Sequence, residues 1–334
     1  MSTGVIGILH NQPAPPGHPF AAASRDVLAQ VDAVEQALRE TGHRTVRLPF
    51  SGDVGQVLAQ LRSGGCRLVV NLCETVNEDP RMAGHPAALL ELLGLPFTGS
   101  PSAALTLTAD KVLTKRLLLA CDIRTPAFRV YDGPPGPDLR GLRFPLILKP
   151  RYQDASIGID QGSIFADEEQ FLAGAGALFH AHGPLCLEEY IAGREFNLSL
   201  LGFPSAAPLP LVEIDFSAFA DDLYPIVGYR AKWDQASFEY HHTPRVFPED
   251  LAHDLARELR SAAMACFELF ELRDYGRVDL RVDPHGRVYV LEINANPCLS
   301  PDAGFAAAAE KAGIAYPELV RRLVGFASGR EKAS

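Results

Sequence analysis

The chain has 334 residues, is 47% hydrophobic and 22% charged, and carries a formal net charge of −10. It is long enough for two or three globular domains with a sizeable core, and its acidity argues against a nucleic-acid partner, which would need a basic face. No run approaches the ~20 apolar residues of a membrane helix, MSTGVIGILHNQ lacks a basic start with an apolar signal core, and the six cysteines form no CxxC pair; a cytoplasmic protein without membrane contact, disulfide framework or zinc site is expected.

Residues 4–10 read as a short apolar strand, and Val27, Val31, Val34 and Leu38 recur at helical spacing over Asp26 to Glu40, ending at Gly42. A strand (Thr45 to Leu48), a helix (Val54 to Arg62) and a strand (Arg67 to Leu72) follow. This alternation predicts a parallel sheet with helices on its faces, and the expected class is α/β, turning α+β in the C-terminal part. His10, Cys73 and Glu74 fall at strand ends, where open α/β sheets bind ligands.

The next helix, Ala109 to Cys121, is expected to bury Leu113, Leu117 and Cys121. A strand (Phe128 to Tyr131), a Pro/Gly-rich turn (Gly133 to Gly141), the apolar strand Phe144 to Lys149, and a strand, helix (Asp167 to His180) and strand (Leu185 to Ile191) then make a small middle unit. Antiparallel strands (Glu195 to Leu201, Leu211 to Asp215), a helix from Pro248 to Leu272, a hairpin and two closing helices complete the chain. The expected division is an N-terminal α/β domain (1–105), a central subdomain (106–187) and a C-terminal subdomain (188–330).

Lys111 opens DKVLTKRLL and Lys149 closes FPLILKP; a lysine on an apolar element either snorkels or meets an anion. The loop Gln153 to Ile159, with Ser156 and Gly158, is small enough to bring backbone N–H groups near phosphate oxygens. LCLEEYIAGREF offers Glu188, Glu189 and Glu195, which can accept hydrogen bonds from a ribose or an adenine amino group, or stand as solvated edge charges.

YGRVDLRVD and VYVLEINANP alternate with period two, placing Arg277 and Asp279 on one polar face and Glu292 with Asn294 on one face of the return strand. If the turn at Asp283-Pro284-His285-Gly286 has two loop residues, Asp279 pairs with Glu292, and a three-residue loop shifts the pairing by one. Three oxygen-bearing side chains on adjacent strands suit Mg²⁺, which is bound through one or two carboxylates plus phosphate. The bland alternative for the hairpin alone is an ordinary solvated face, for which DxxGR is a common turn.

The ordered set Lys111, Lys149, the small-residue loop, EEYI with Glu195, AKW, GRVDL and LEINANP resembles the ATP-grasp superfamily and, within it, the D-alanine–D-alanine ligases. The likeness runs from about residue 67 to 325, and residues 89–118 are similar to the family's segment joining the N-terminal and middle domains. It implies a three-domain ATP-grasp fold using ATP and two Mg²⁺ ions, with Mn²⁺ as a substitute. Lys111 and Lys149 would bind the α- and β-phosphates, with Ser156 and Gly158 in the phosphate loop. Glu188, Glu189, Ile191 and Glu195 would line the adenine and ribose, and Lys232 would reach the γ-phosphate. Asp279, Glu292 and Asn294 would hold the metals, and Arg277 would steady the tetrahedral intermediate. The reaction implied is attack of a small-molecule acid on the γ-phosphate, giving an acyl phosphate and ADP, followed by attack of an amine and loss of phosphate. A homodimer is expected by analogy.

The substrate region departs from the family pattern. The N-terminal SxE segment reads HNQPAPPGHPF and offers no glutamate; the serine after the phosphate lysine falls on Ala155, and the loop tyrosine on Trp233. The glycine after NxxP is Cys298, the downstream serine is Ala303, and the histidine-glycine after the third strand is Cys73-Glu74. The chain is therefore expected to be a carboxylate–amine ligase acting on amino-acid or peptide-like substrates other than two D-alanines. A true D-alanine–D-alanine ligase and an inactive ATP-binding regulatory module are the alternatives. Arg230, Trp233 and Cys298 are the candidate substrate contacts, with Tyr240, His241 and His242 on the same segment; the histidine pair has no metal-ligand spacing.

Overall fold

A computed structural model describes residues 4–331 apart from 16, 19 and 20. Those three lie in HNQPAPPGHPF, so that stretch, read as lacking the amine-binding glutamate, is partly outside the described residues. Three parallel strands, β1 (Val5–Asn11), β2 (Arg44–Phe50) and β3 (Cys66–Asn71), form a sheet in the order β2-β1-β3. Helix Ala21–Glu40 seals one face through Val27, Val31, Val34 and Leu38, all buried as their spacing predicts. Helix Val54–Gly64 covers the other, with Val57 and Leu61 against Leu9 and Leu48.

An antiparallel four-stranded sheet follows: β4 (Phe128–Tyr131), β5 (Leu146–Pro150), β6 (Ile164–Phe165) and β7 (Leu185–Glu189), in the order β4-β7-β5-β6. Helix Glu168–His182 packs on it through Phe171 and Ala175. The third sheet has six strands: β8 (Arg194–Gly202), β9 (Ala207–Pro208), β10 (Val212–Ile214), β11 (Arg245–Val246), β12 (Asp274–Val282) and β13 (Val288–Asn294), ordered β11-β10-β8-β12-β13 with β9 paired to β8. One of its faces is apolar: Phe196, Leu198, Leu200, Val278 and Leu280 are fully buried against Leu259, Ala263 and Cys266 of helix His253–Leu269. Each such aliphatic side chain contributes about 1.5–3 kcal/mol. The opposite face carries the charged residues.

Helices Gly304–Lys311 and Tyr316–Glu331 return the chain to the N-terminal sheet, burying Phe305, Leu319 and Leu323 in the cluster that holds Ile8 and Val31. Beneath them the fully buried Asp274 accepts from Gly99 N at 2.8 Å and pairs with Arg330. Among the described residues no helix is long and apolar enough to cross a membrane, and all six cysteines are free.

Two elements differ from the expectation. Helix Lys111–Ala120 buries Lys111, Val112, Thr114, Lys115 and Leu118, while Leu113 and Cys121 are exposed and Leu117 is only half-buried. The helix is rotated because Lys115 faces the buried Glu188 and Lys111 faces Glu292 and Asp154, and that pairing outweighs the apolar periodicity. The helix read over Pro248 to Leu272 is the shorter His253–Leu269, and helices Gly84–Leu92 and Ser102–Thr108 fill a stretch to which the sequence reading assigns no element.

Candidate active site

The polar face of the six-stranded sheet is ordered by strand register. Asp279 pairs with Asn197 on β8 and with Glu292 on β13, and Arg277 pairs with Ser199 and Asn294. The hairpin loop has three residues, Pro284 to Gly286, because Val282 pairs with Val288 and Asp283 N donates to Arg287 O. That loop alone would put Leu291 opposite Asp279. A bulge between Asp279 and Leu280 shifts the register by one and restores Glu292 to that position, a re-aiming that bulges perform beside functional sites.

Arg277 grips Asp279 with two hydrogen bonds, Nε to Oδ1 at 2.7 Å and Nη2 to Oδ2 at 2.9 Å, and Asn197 Nδ2 adds a third at 2.8 Å. Asn294 Oδ1 accepts from Asn296 N at 3.1 Å. Lys111 Nζ lies 3.5 Å from Glu292 Oε1 and 3.4 Å from Asp154 Oδ1, and it donates to the Gln153 carbonyl. Burial opposes its charge, but Glu292 and Asp154 hold the ammonium above the ordinary lysine range. Burial also works against ionisation of Glu292, yet Lys111 and Lys232 keep it low, while burial and the neighbouring Glu292 push Asp154 up. Lys232 is depressed by burial and by Arg277 and attracted by Glu292, Asp279 and Glu195. Four separate elements thus bring Lys111, Lys232, Arg277, Asp279, Glu292 and Asn294 together.

Lys149 meets Glu188 at 2.9 Å, and Lys115 meets the same carboxylate oxygen at 3.2 Å while donating to Thr125 Oγ1 at 2.9 Å. Glu188 and Lys115 are each 1% exposed. One buried anion therefore serves two cations. Glu189 is held by Arg143 at 2.8 Å, and Glu195 by Arg281 at 2.8 Å. Arg281 also donates to the carbonyls of Ile191 and Pro225 and lies over the Tyr190 ring, bracing the strand that carries Glu188 and Glu189.

The loop after Lys149 turns through left-handed backbone at Ala155 (φ 54°), Ser156 (φ 60°) and Gly158 (φ 73°). A Cβ at Gly158 would sit 2.6 Å from Pro150 Cγ, so glycine is required there; the two non-glycine residues cost about 1–3 kcal/mol each. The loop is held in this shape by the segment over 221–243. Ser156 Oγ donates to Val227 O at 2.6 Å, Tyr229 N to Ile159 O at 2.7 Å, and Trp233 Nε1 to Ala155 O at 2.9 Å. Gln161 and Tyr224 exchange two further bonds, at 2.9 and 3.0 Å. Arg230 is engaged within its own segment by Glu239 and Asp234, and His241 and His242 bond to nearby carbonyls. In Trp233→Phe the indole bond is lost, about 1 kcal/mol, and tryptic cleavage at Arg230 and Lys232 should rise about fivefold. An unchanged rate would show that the indole does not hold the segment.

The D-ala D-ala ligase C-terminus family matches residues 139–325. The chain belongs to the D-alanine–D-alanine ligase family. These are ATP-dependent, ADP-forming ligases that make amide bonds. The D-alanine–D-alanine ligase of Bordetella petrii is 32% identical, covering 97% of this chain and 92% of its own. An uncharacterized protein of Sinorhizobium fredii is 34% identical over 90% of this chain and 87% of its own. The crystal structure of the Bacillus anthracis D-alanine–D-alanine ligase complexed with ATP superposes with a TM-score of 0.77 at 19% identity, covering 99% of both chains, which places the fold in the ATP-grasp class. Against this D-alanine–D-alanine ligase-like frame, sequence reasoning missed Lys115, Asp154, Asn197 and Arg281. Only Arg281 carried a signal, standing two residues beyond Asp279 on the same strand face.

Proposed function

We propose that this protein is an ATP- and Mg²⁺-dependent ligase that joins a carboxylate to an amine, with amino-acid or peptide-like substrates other than two D-alanines. The observation that carries the reading is the row Asn197, Asp279, Glu292, aligned across three strands and flanked by Lys111, Lys232 and Arg277. Among the described residues no three His, Cys, Asp or Glu side chains group as a metal site by themselves. Two carboxylates with the Asn294 amide fit Mg²⁺, which takes oxygen ligands and completes its shell with phosphate. When bound, the ions would neutralise charge on the transferred phosphoryl group.

The protein's own groups have separable tasks in this reading. Lys111 and Lys149 hold phosphate oxygens, with Glu188 orienting Lys149. Lys232 and Arg277 face the charge that develops as the carboxylate is phosphorylated and the amine then adds to it. The latched segment over 221–243 keeps water from the acyl phosphate.

Substrate recognition is where the chain departs from its relatives. Trp233, at the tyrosine position, directs its indole N–H to the carbonyl of Ala155, at the serine position, so both positions serve a loop-to-loop contact. D-alanine–D-alanine ligation is the second reading, favoured by the names of the relatives at 32% and 30% identity. The deciding experiment is Mg²⁺-dependent ADP release with each L- and D-amino acid, singly and in pairs, with products weighed by mass spectrometry. A condensed product other than D-alanyl-D-alanine is expected. D-alanyl-D-alanine would restore the second reading, and bound ATP without ADP release on any substrate would contradict both.

A further inference from the structure

No glutamate is available in the described part of the N-terminal loop, yet carboxylates approach the site from two other elements. Glu74 follows β3, and its Oε1 accepts from Gln30 Nε2 at 3.0 Å. Asp26 lies one helical turn before Gln30, which also touches it, and its Oδ2 accepts from Cys298 Sγ at 3.3 Å. Gln30 is pinned in turn, its Oε1 accepting from Leu299 N at 3.1 Å. The pair lies beside the catalytic face, with Glu74 within electrostatic reach of both Lys232 and Asp154.

Neutral groups hold the two carboxylates: the hydrogen bonds come from an amide and a thiol. Burial, with Asp26 and Asp154 adding to it, raises Glu74 to about 7 despite Gln30 and Lys232, and burial likewise raises Asp26. Independent of the acids, Ser300 is 2% exposed, its N–H donates to Cys298 Sγ at 3.5 Å, and its Oγ finds no hydrogen-bond partner. The hydroxyl of Tyr316, near the same thiol, is also buried without a partner. Buried polar groups are normally satisfied, by protein, water or ligand. The thiol itself is not a metal ligand in waiting: burial, Glu74 and Asp26 push it up to about 12, so it stays protonated and donates to Asp26.

We propose that Glu74 and Asp26, spanned by Gln30, form the subsite for the ammonium group of one substrate, the two orphaned hydroxyls serving its polar neighbours. The inference deepens the ligase reading and rests on it. The ligand class is a small molecule entering as a primary ammonium, such as a free amino acid or the N-terminus of a short peptide. Its charge answers two carboxylates at once through charge-assisted hydrogen bonds, which are about twice as strong as neutral ones.

The test uses the full chain with Mg²⁺ and a non-hydrolysable ATP analogue. Amino-acid amides, which carry the ammonium but no carboxylate, are compared with their N-acetyl counterparts by calorimetry and thermal shift. At least one amide should bind the wild type, its N-acetyl form at least about tenfold more weakly, and the D26N/E74Q protein should lose that difference while keeping its nucleotide-induced shift. If the double variant does not fold, Glu74→Gln alone, which keeps a hydrogen-bonding group beside Gln30, should still lose most of the preference. Absence of amide binding, equal binding of the N-acetyl forms, or an unchanged preference in the variants would overturn the subsite. ADP release from Mg-ATP is measured on the same wild-type protein with each amino acid. Ammonium preference without any ADP release would count against the ligase reading alone, and ADP release without ammonium preference against the subsite alone.

Discussion

Glu292→Gln should lower Mg²⁺-dependent ADP release by about 10²–10³-fold while leaving the protein folded. Glu292 stands in cross-strand register with Asp279, its side chain 37% exposed on the face turned to Lys111 and Lys232. These cations keep it ionised, so it supplies a full negative charge where a hard cation would sit. Glutamine has the same shape but a neutral oxygen, which holds Mg²⁺ more weakly than a carboxylate does. Stability should change little, within about 1 kcal/mol, because the side chain is partly solvated and Lys111 keeps Asp154 and the Gln153 carbonyl as partners. Steady-state rates over a range of Mg²⁺ concentration, with the melting temperature as control, check this. Rates within a few-fold of wild type at every Mg²⁺ concentration would remove Glu292 from the metal site.

Glu188→Gln should instead damage the fold, costing about 3–5 kcal/mol at neutral pH, because it leaves Lys115 and Lys149 facing each other without an anion. Lys115→Met should cost far less, since it leaves the single pair Lys149–Glu188 and replaces a buried ammonium by an apolar chain of similar length. Acid should narrow the gap between wild type and Glu188→Gln. Burial alone would raise Glu188, but Lys115 and Lys149 outweigh it, and the carboxyl is held below its ordinary value. A group depressed in the folded state contributes stability above its unfolded pKa, and that contribution is lost as pH falls through the folded value. Urea midpoints at neutral and acid pH measure both effects. A loss below about 1 kcal/mol at neutral pH would mean that the buried triad does not anchor the central sheet.

Legibility in the sequence followed the range of the interaction. The alternation in YGRVDLRVD placed Arg277 and Asp279 on one face, and the N-terminal helix showed its buried valines, because both depend on neighbours two to four residues away. The pairing of Asp279 with Glu292 was open until the structure revealed that a three-residue loop is offset by a bulge, two features that cancel in register. The rotation of helix Lys111–Ala120 was hidden because a lysine reads as a surface residue until the carboxylate across from it is known; here that partner is Glu188, far along the chain. Asp154 was concealed among small loop residues, and Asp26 meets Cys298 across 272 positions, beyond any periodic signal. The partners of Arg230, Glu239 and Asp234, lie within its own irregular segment, where no period announces a pairing.

The most direct measurement is transfer of ¹⁸O from carboxylate to phosphate. The protein would be incubated with Mg-ATP and a pool of L- and D-amino acids labelled with ¹⁸O in their carboxyl groups, and the released phosphate examined by mass. Phosphoryl transfer to a substrate carboxylate, with Lys111, Lys149, Lys232 and Arg277 around it, predicts ADP together with phosphate carrying one ¹⁸O atom, the atom left behind when the amine displaces phosphate from the acyl carbon. ADP with unlabelled phosphate would mean simple hydrolysis of ATP, and AMP with pyrophosphate would mean adenylation; either result would contradict the ligase chemistry assigned to this site.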